Sequence, residues 1–276
     1  MATLKNIFKL SELKDIILVI LILAFGFSYR FTGPATLDNW FGNFIVVIIL
    51  VLFSILVHEI VHKLVAAKFS VLVTPKIWWS GVIVMVILLV FSGGLIVFAA
   101  PWAVAMKPFR LMKPGKPWPH VGPKEYAIIA LSGPMANLGL AIIAKLLSPA
   151  LGLISTKLIT MNIFIAIFNL VPFFTILPIM FFQWAKLKPL EAPYVEGEFV
   201  FFGSRPLWIF VFIFTLVTGA SLIYFNVLIS IVLAFILAAA IWVAWHWFLE
   251  PAAPGGWQQE VVPGIRREVM HWRTKK

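Results

Sequence analysis

The stretch that decides the reading runs Phe44-Ile45-Val46-Val47-Ile48-Ile49-Leu50-Val51-Leu52-Phe53-Ser54-Ile55-Leu56-Val57-His58-Glu59-Ile60-Val61-His62-Lys63-Leu64. Its first part continues an apolar run that begins at Phe41 and ends at Val57. About 20 such residues in a helix cross a hydrocarbon core roughly 30 Å thick. Three ionisable groups then fall within five residues, at His58, Glu59 and His62. An ionisable residue at membrane depth costs on the order of 2.5 kcal/mol or more, so such residues mark function by default. The bland alternative is a helix end whose polar side chains reach for the cytoplasmic interface, with Lys63 beside them.

The rest of the chain has the same character. Of 276 residues, 62% are hydrophobic and 12% are charged, with a mean hydropathy of +1.02. A soluble domain is about half apolar and a quarter charged, so this chain lacks the polar surface to cover a soluble fold. Further runs nearly free of charge lie at Asp15–Tyr29, Gly81–Ala100, Tyr126–Leu147, Leu158–Phe182 and Leu207–Leu249. The last is long enough for two spans, with a break expected near Tyr224, Phe225 and Asn226. The net charge of +11 comes from short loops and the tail, where the positive-inside rule puts basic residues. It calls for no nucleic acid. There are no cysteines, which excludes disulfides and thiolate metal sites.

The basic residues orient the chain. Lys5, Lys9 and Lys14 precede the first span, and Lys63 and Lys68 end the second. Met106–Lys124 and the tail from Arg266 are also basic. All four regions are expected in the cytoplasm, with both termini inside and the protein in the cell membrane. The segment around residues 71–105 must then leave and return on one side. It contains Thr74-Pro75, Gly93-Gly94 and Ala100-Pro101, all poor helix interior. A re-entrant excursion of short helix and extended strand is expected there, beside a cavity. The fold class is an all-α polytopic membrane protein with about six transmembrane helices. Residues 1–250 form the membrane domain and 251–276 a short basic cytoplasmic tail.

The motif points to metal chemistry. On a helix, His58 and His62 share a face one turn apart. Both imidazoles can reach one zinc ion, which lowers the pKa of a bound water to about 7. Glu59 is placed to take a proton from that water as general base. Catalytic zinc usually has three protein ligands. His120, His246 and His271 have simpler readings, in the basic loop, a Trp-rich span end and the tail respectively. Carboxylates beyond the fifth apolar run (Glu191, Glu196 and Glu198) suit the position better, whereas Asp15 and Asp38 are expected to lie far away.

Several further blocks occur in order: Phe98-Ala99-Ala100-Pro101, Ser132-Gly133-Pro134-Met135-Ala136-Asn137, Phe168-Asn169-Leu170-Val171-Pro172 and Phe201-Phe202-Gly203-Ser204-Arg205-Pro206. With the His58–His62 motif they resemble the site-2 protease family of intramembrane zinc metalloproteases, of archaeal and bacterial type. The resemblance covers Phe44 to Arg205. It implies hydrolysis of peptide bonds in or near transmembrane segments, with membrane proteins as substrates. The family follows Asn-x-x-Pro closely with Leu-Asp-Gly, whose Asp is the third ligand. This chain instead has Phe173–Val195 and then Glu196-Gly197. Counting back from Gly203 carries the ligand role to Glu196, with Glu191 as runner-up. The resemblance also places Asn137 and Asn169 near the metal, as substrate or oxyanion contacts or as links between helices. A strand near Leu95–Ala99 is expected to pair with unwound substrate. Two other classes compete: a catalytically inactive relative that binds membrane partners, favoured by the Glu and the insertion, and a metal transporter. The transporter needs polar residues along several spans, and few are present.

Overall fold

The computed structural model describes residues 10–32, 37–108, 121–172 and 195–248. The chain opens with helix α1 (Leu10–Thr32) and helix α2 (Leu37–Lys68). Strand β1 (Val71–Ile77), helix α3 (Trp79–Phe91) and strand β2 (Trp102–Pro108) follow. Then come α4 (Pro123–Leu146), the short α5 (Ser148–Leu151) and α6 (Leu153–Leu170). The last are α7 (Glu196–Gly203), α8 (Arg205–Tyr224) and α9 (Val227–Phe248).

Among the described residues, five helices are long and apolar enough to cross a membrane: Trp40–Lys68 within α2, α4, α6, α8 and α9. Helix α1 has 23 residues, with Glu12, Lys14 and Asp15 near its start. Large apolar side chains face outward around the bundle, among them Phe41, Ile49, Val90, Leu228 and Phe235. That is how a lipid-solvated surface looks, because the acyl chains favour it as much as a protein core does.

The expected break in the last apolar run is present. Phe225 is extended, and the Asn226 side chain accepts a hydrogen bond from the Ile229 N–H (2.9 Å), capping α9. Helix α6 stops at Leu170, earlier than the apolar run, because Pro172 disfavours helical backbone in the residue before it. The Trp208 indole N–H satisfies the freed Leu170 carbonyl at 2.7 Å. Residues 173–182 of that run lie outside the described residues.

The segment 71–108 departs from an all-α fold. β1 and β2 form an antiparallel ladder pairing Val71 with Pro108 through Ile77 with Trp102. Between them α3 is only 13 residues long and ends at the Gly93-Gly94 pair. Both glycines have positive φ (59° and 85°), and the Gly94 N–H returns to the Leu89 carbonyl at 2.8 Å. That left-handed stop suits glycine because no Cβ opposes it. The strand expected at Leu95–Ala99 is not formed. This stretch is non-helical and outside the ladder, and the strands flank it instead. Val97 to Ala100 are fully buried among α1, α2, α3 and α6 residues, so packing on all sides replaces a strand neighbour. Irregular backbone in a membrane protein needs such cover.

Candidate metal centre

Helix α2 carries the motif as its periodicity predicts. The His58 and His62 rings lie on one face with centroids 4.8 Å apart. Helix α7 starts at Glu196, which points at the pair. Its Oε1 is 2.9 Å from His58 Nε2 and 3.0 Å from His62 Nε2. The three side chains form a group whose ligand atoms lie within 4.8 Å of one another, all buried. The sequence brings these elements together through small residues. Gly197 lets α7 abut the end of α6, since a Cβ there would strike the Leu170 carbonyl. Gly133, just before the helix-interior Pro134, lets α4 lie against both imidazoles. A Cβ at Gly133 would stand 2.5 Å from His58 Nε2 and His62 Nε2.

The donor set fits a divalent cation. His62 Nε2 faces Glu196 without the geometry of a hydrogen bond, and Glu196 Oε2 has no hydrogen-bond partner among the described residues. Buried polar atoms are nearly always paired, and a carboxylate without water costs several kcal/mol unless a charge offsets it. Lone pairs of two nitrogens and a carboxylate converging on one point supply what a cation needs. Two imidazoles and a carboxylate favour zinc by ligand type.

Glu59 stands beside the cluster, 1% exposed, with Oε2 unpartnered among the described residues. It lines a small cleft between α1, α2, β1 and β2, together with Asp15, Ile55, Lys76 and Trp102. The expectation for Asp15 is corrected here. It lies on the same cleft as Glu59, because α1 packs along α2, although it is not in the metal-ligand group. Lys63 is ion-paired with Glu12 of α1 at 2.5 Å, which ties the two helices at this level.

Asn137 is buried and touches His58, with its Oδ1 2.5 Å from Nδ1. Its Nδ2 donates to Asn162 Oδ1 (2.7 Å) and to the Ser54 carbonyl (3.4 Å). Both ends of the amide therefore link helices. Asn169 is buried near the end of α6, with Nδ2 unpartnered among the described residues. His246 stacks on Trp242 in α9, and Glu198 is buried in the first turn of α7; neither joins the cluster. Glu191, His120 and His271 lie outside the described residues, as do the Asp38 side chain and the 251–276 tail. Sequence reasoning missed Ser54, Ser132, Asn162 and Trp102. Ser132 Oγ lies 3.2 Å from His62 Nδ1, and the Trp102 ring sits edge-on to His58 with centroids 5.7 Å apart. The signal for Ser54 and Asn162 was available, since each is a polar residue within an apolar span.

Fold and site together fit a multi-pass helical membrane protein with a buried His-His-Glu group able to hold a metal ion and an adjacent carboxylate. Residues 46–157 match the model of Peptidase family M50, the site-2 protease family. The resemblance read from the motifs is thereby borne out. The chain is also 29% identical over 173 residues to a Methanocaldococcus jannaschii protein named "Putative zinc metalloprotease MJ0611". That similarity covers 60% of this chain and 82% of the relative. No solved structure matches the chain at a significant level.

Proposed function

We propose that this protein is an intramembrane zinc metalloendopeptidase that hydrolyses peptide bonds in or near transmembrane segments of membrane proteins. The observation that carries the reading is the convergence of His58, His62 and Glu196 beside a buried Glu59 whose Oε2 has no hydrogen-bond partner among the described residues. His58, His62 and Glu196 would hold the metal. When bound, zinc supplies Lewis acidity, which activates water near neutral pH and polarises a carbonyl. Glu59 takes the proton of the attacking water and later delivers it to the leaving amine. The glycine at position 133 keeps the ring nitrogens unobstructed. Asn169 offers an uncommitted N–H donor for substrate backbone or developing oxyanion. Burial of the whole set excludes bulk water and strengthens each electrostatic contact.

In this reading α1 joins the five apolar helices as a sixth span, and residues 71–105 form a re-entrant element on the cytoplasmic side. Both termini then lie in the cytoplasm of a cell-membrane protein, as the basic loops require. The products of regulated intramembrane proteolysis leave inward.

The test is cleavage of a single-span membrane substrate by purified protein in liposomes, beside Glu59→Gln. Hydrolysis by the wild type and none by the variant, at equal zinc content, is expected. Zinc bound stoichiometrically with no hydrolysis of several substrates would instead identify an inactive relative that binds membrane partners.

A further inference from the structure

A neutral imidazole can carry its proton on either nitrogen, and only one choice leaves Nε2 free to hold a metal. In this protein that choice is made by backbone carbonyls some distance away. Carbonyls can only accept hydrogen bonds, so every group facing one has its polarity fixed. Ser54 Oγ donates to the Leu50 carbonyl at 2.9 Å, which leaves its lone pairs to accept. One end of the Asn162 amide faces both that Ser54 oxygen (3.0 Å) and the Leu158 carbonyl (2.9 Å). That end must be the NH2 group, so Asn162 presents its oxygen to Asn137. The facing Asn137 atom is then the Nδ2 donor, at 2.7 Å, and the Ser54 carbonyl fixes the same orientation at 3.4 Å. Asn137 Oδ1 is left for His58 Nδ1. Two acceptors cannot face each other so closely, so Nδ1 bears a proton of its own; the same rule puts a hydrogen between Nε2 and Glu196 Oε1, 2.9 Å apart, and that Nε2 proton is the one a metal would replace.

His62 is set in the same way by a shorter chain. Ser132 Oγ donates to the Ile129 carbonyl at 2.6 Å and so accepts from His62 Nδ1 at 3.2 Å. Two independent paths thus end on carbonyls and impose the same tautomer.

We propose that Asn162 and Ser54, acting through Asn137, and Ser132, acting directly, are positioning residues that lock both histidines in the Nδ1–H tautomer and so prepare Nε2 for the metal. The inference rests on the metal-site reading above and adds residues to it. Asn162 is on α6, so the metal centre depends on α2, α4, α6 and α7 all being docked.

The experiment is zinc affinity by chelator competition on the purified full chain in detergent, for wild type, Asn162→Leu, Asn137→Asp and the double variant. Asn162→Leu is expected to weaken zinc about 10- to 100-fold, the usual range for an outer hydrogen-bond partner of a ligand. In the Asn137→Asp background the same change is expected to have less than about a threefold effect. A carboxylate offers His58 an acceptor whichever way it turns, and so no longer needs Asn162 to orient it. Asn162→Leu binding zinc like the wild type overturns the inference, and so does an equal loss in both backgrounds, which is a packing defect. A wild type that binds no zinc overturns the metal-site reading itself, and the inference with it. If Asn162→Leu does not fold, 15N spectra of zinc-loaded, histidine-labelled wild type decide. Both histidines are expected to be protonated at Nδ1; coordination through Nδ1 of either one refutes the proposal.

Discussion

Replacing Gly133 by alanine adds one methyl group to α4 and tests whether the imidazoles are held where a metal needs them. The new Cβ would stand 2.5 Å from His58 Cε1, His58 Nε2 and His62 Nε2. Ordinary contact begins near 3.4 Å, so rings or helix must separate by about 0.9 Å. Metal–ligand distances hold to about 0.2 Å, so the displacement is several times the tolerance. Zinc affinity is expected to fall at least about 100-fold, which is about 2.7 kcal/mol. Overpacking adds a folding cost of about 1–3 kcal/mol. The control is Gly139→Ala on the same helix, where nothing lies within 4 Å of the new Cβ. There the alanine is expected to leave zinc unchanged and to stabilise the helix by about 0.5–1 kcal/mol. The assay is chelator competition for zinc, together with thermal unfolding of the two variants in detergent. A Gly133→Ala protein that binds zinc within about threefold of wild type would refute the reasoning, because the helix would then not be pressed on the ligands.

Glu196→Ala should lose stoichiometric zinc on dialysis, while Glu196→Asp, one methylene shorter, should retain weakened binding; full zinc in the alanine variant would assign the third ligand elsewhere. Removing zinc from the wild type with a chelator should lower its melting temperature, since a ligand present at about 100 times its Kd stabilises by about 2.7 kcal/mol; an unchanged melting temperature would argue against a folded-state metal site. Lys63→Met removes the cation that pairs with the Glu12 carboxylate, which is only 8% exposed, and should destabilise by about 1–3 kcal/mol. The double variant Lys63→Met with Glu12→Leu should recover most of that loss in thermal unfolding, and failure to recover would mean that the pair does not act as one unit.

The motif was legible because its chemistry is local. Five residues of one helix place His58, Glu59 and His62, and 3.6-residue periodicity suffices to put both rings on one face. The breaks were legible for the same reason: Pro172 and the Gly93-Gly94 pair each stop a helix through their own backbone preferences. The strand at Leu95–Ala99 was misplaced because burial without a ladder partner and pairing within a ladder leave the same short apolar signature. The distance assigned to Asp15 was wrong because charge bias orients spans but says nothing of which neighbours pack.

The sequence by itself determined a multi-span membrane protein, a helical pair of histidines with a carboxylate between them, and a resemblance that pointed to Glu196 as third ligand. Only the tertiary structure decided that Glu196, 134 residues beyond His62, meets both imidazoles, and that Gly133 makes room for them. It alone joined Ser54, Asn137 and Asn162 from three helices into one chain of hydrogen bonds. The physical reason is that a helix's own face follows from spacing along the chain. Convergence between helices depends instead on how closely their backbones can approach, and that is set by packing and by the small residues at each crossing.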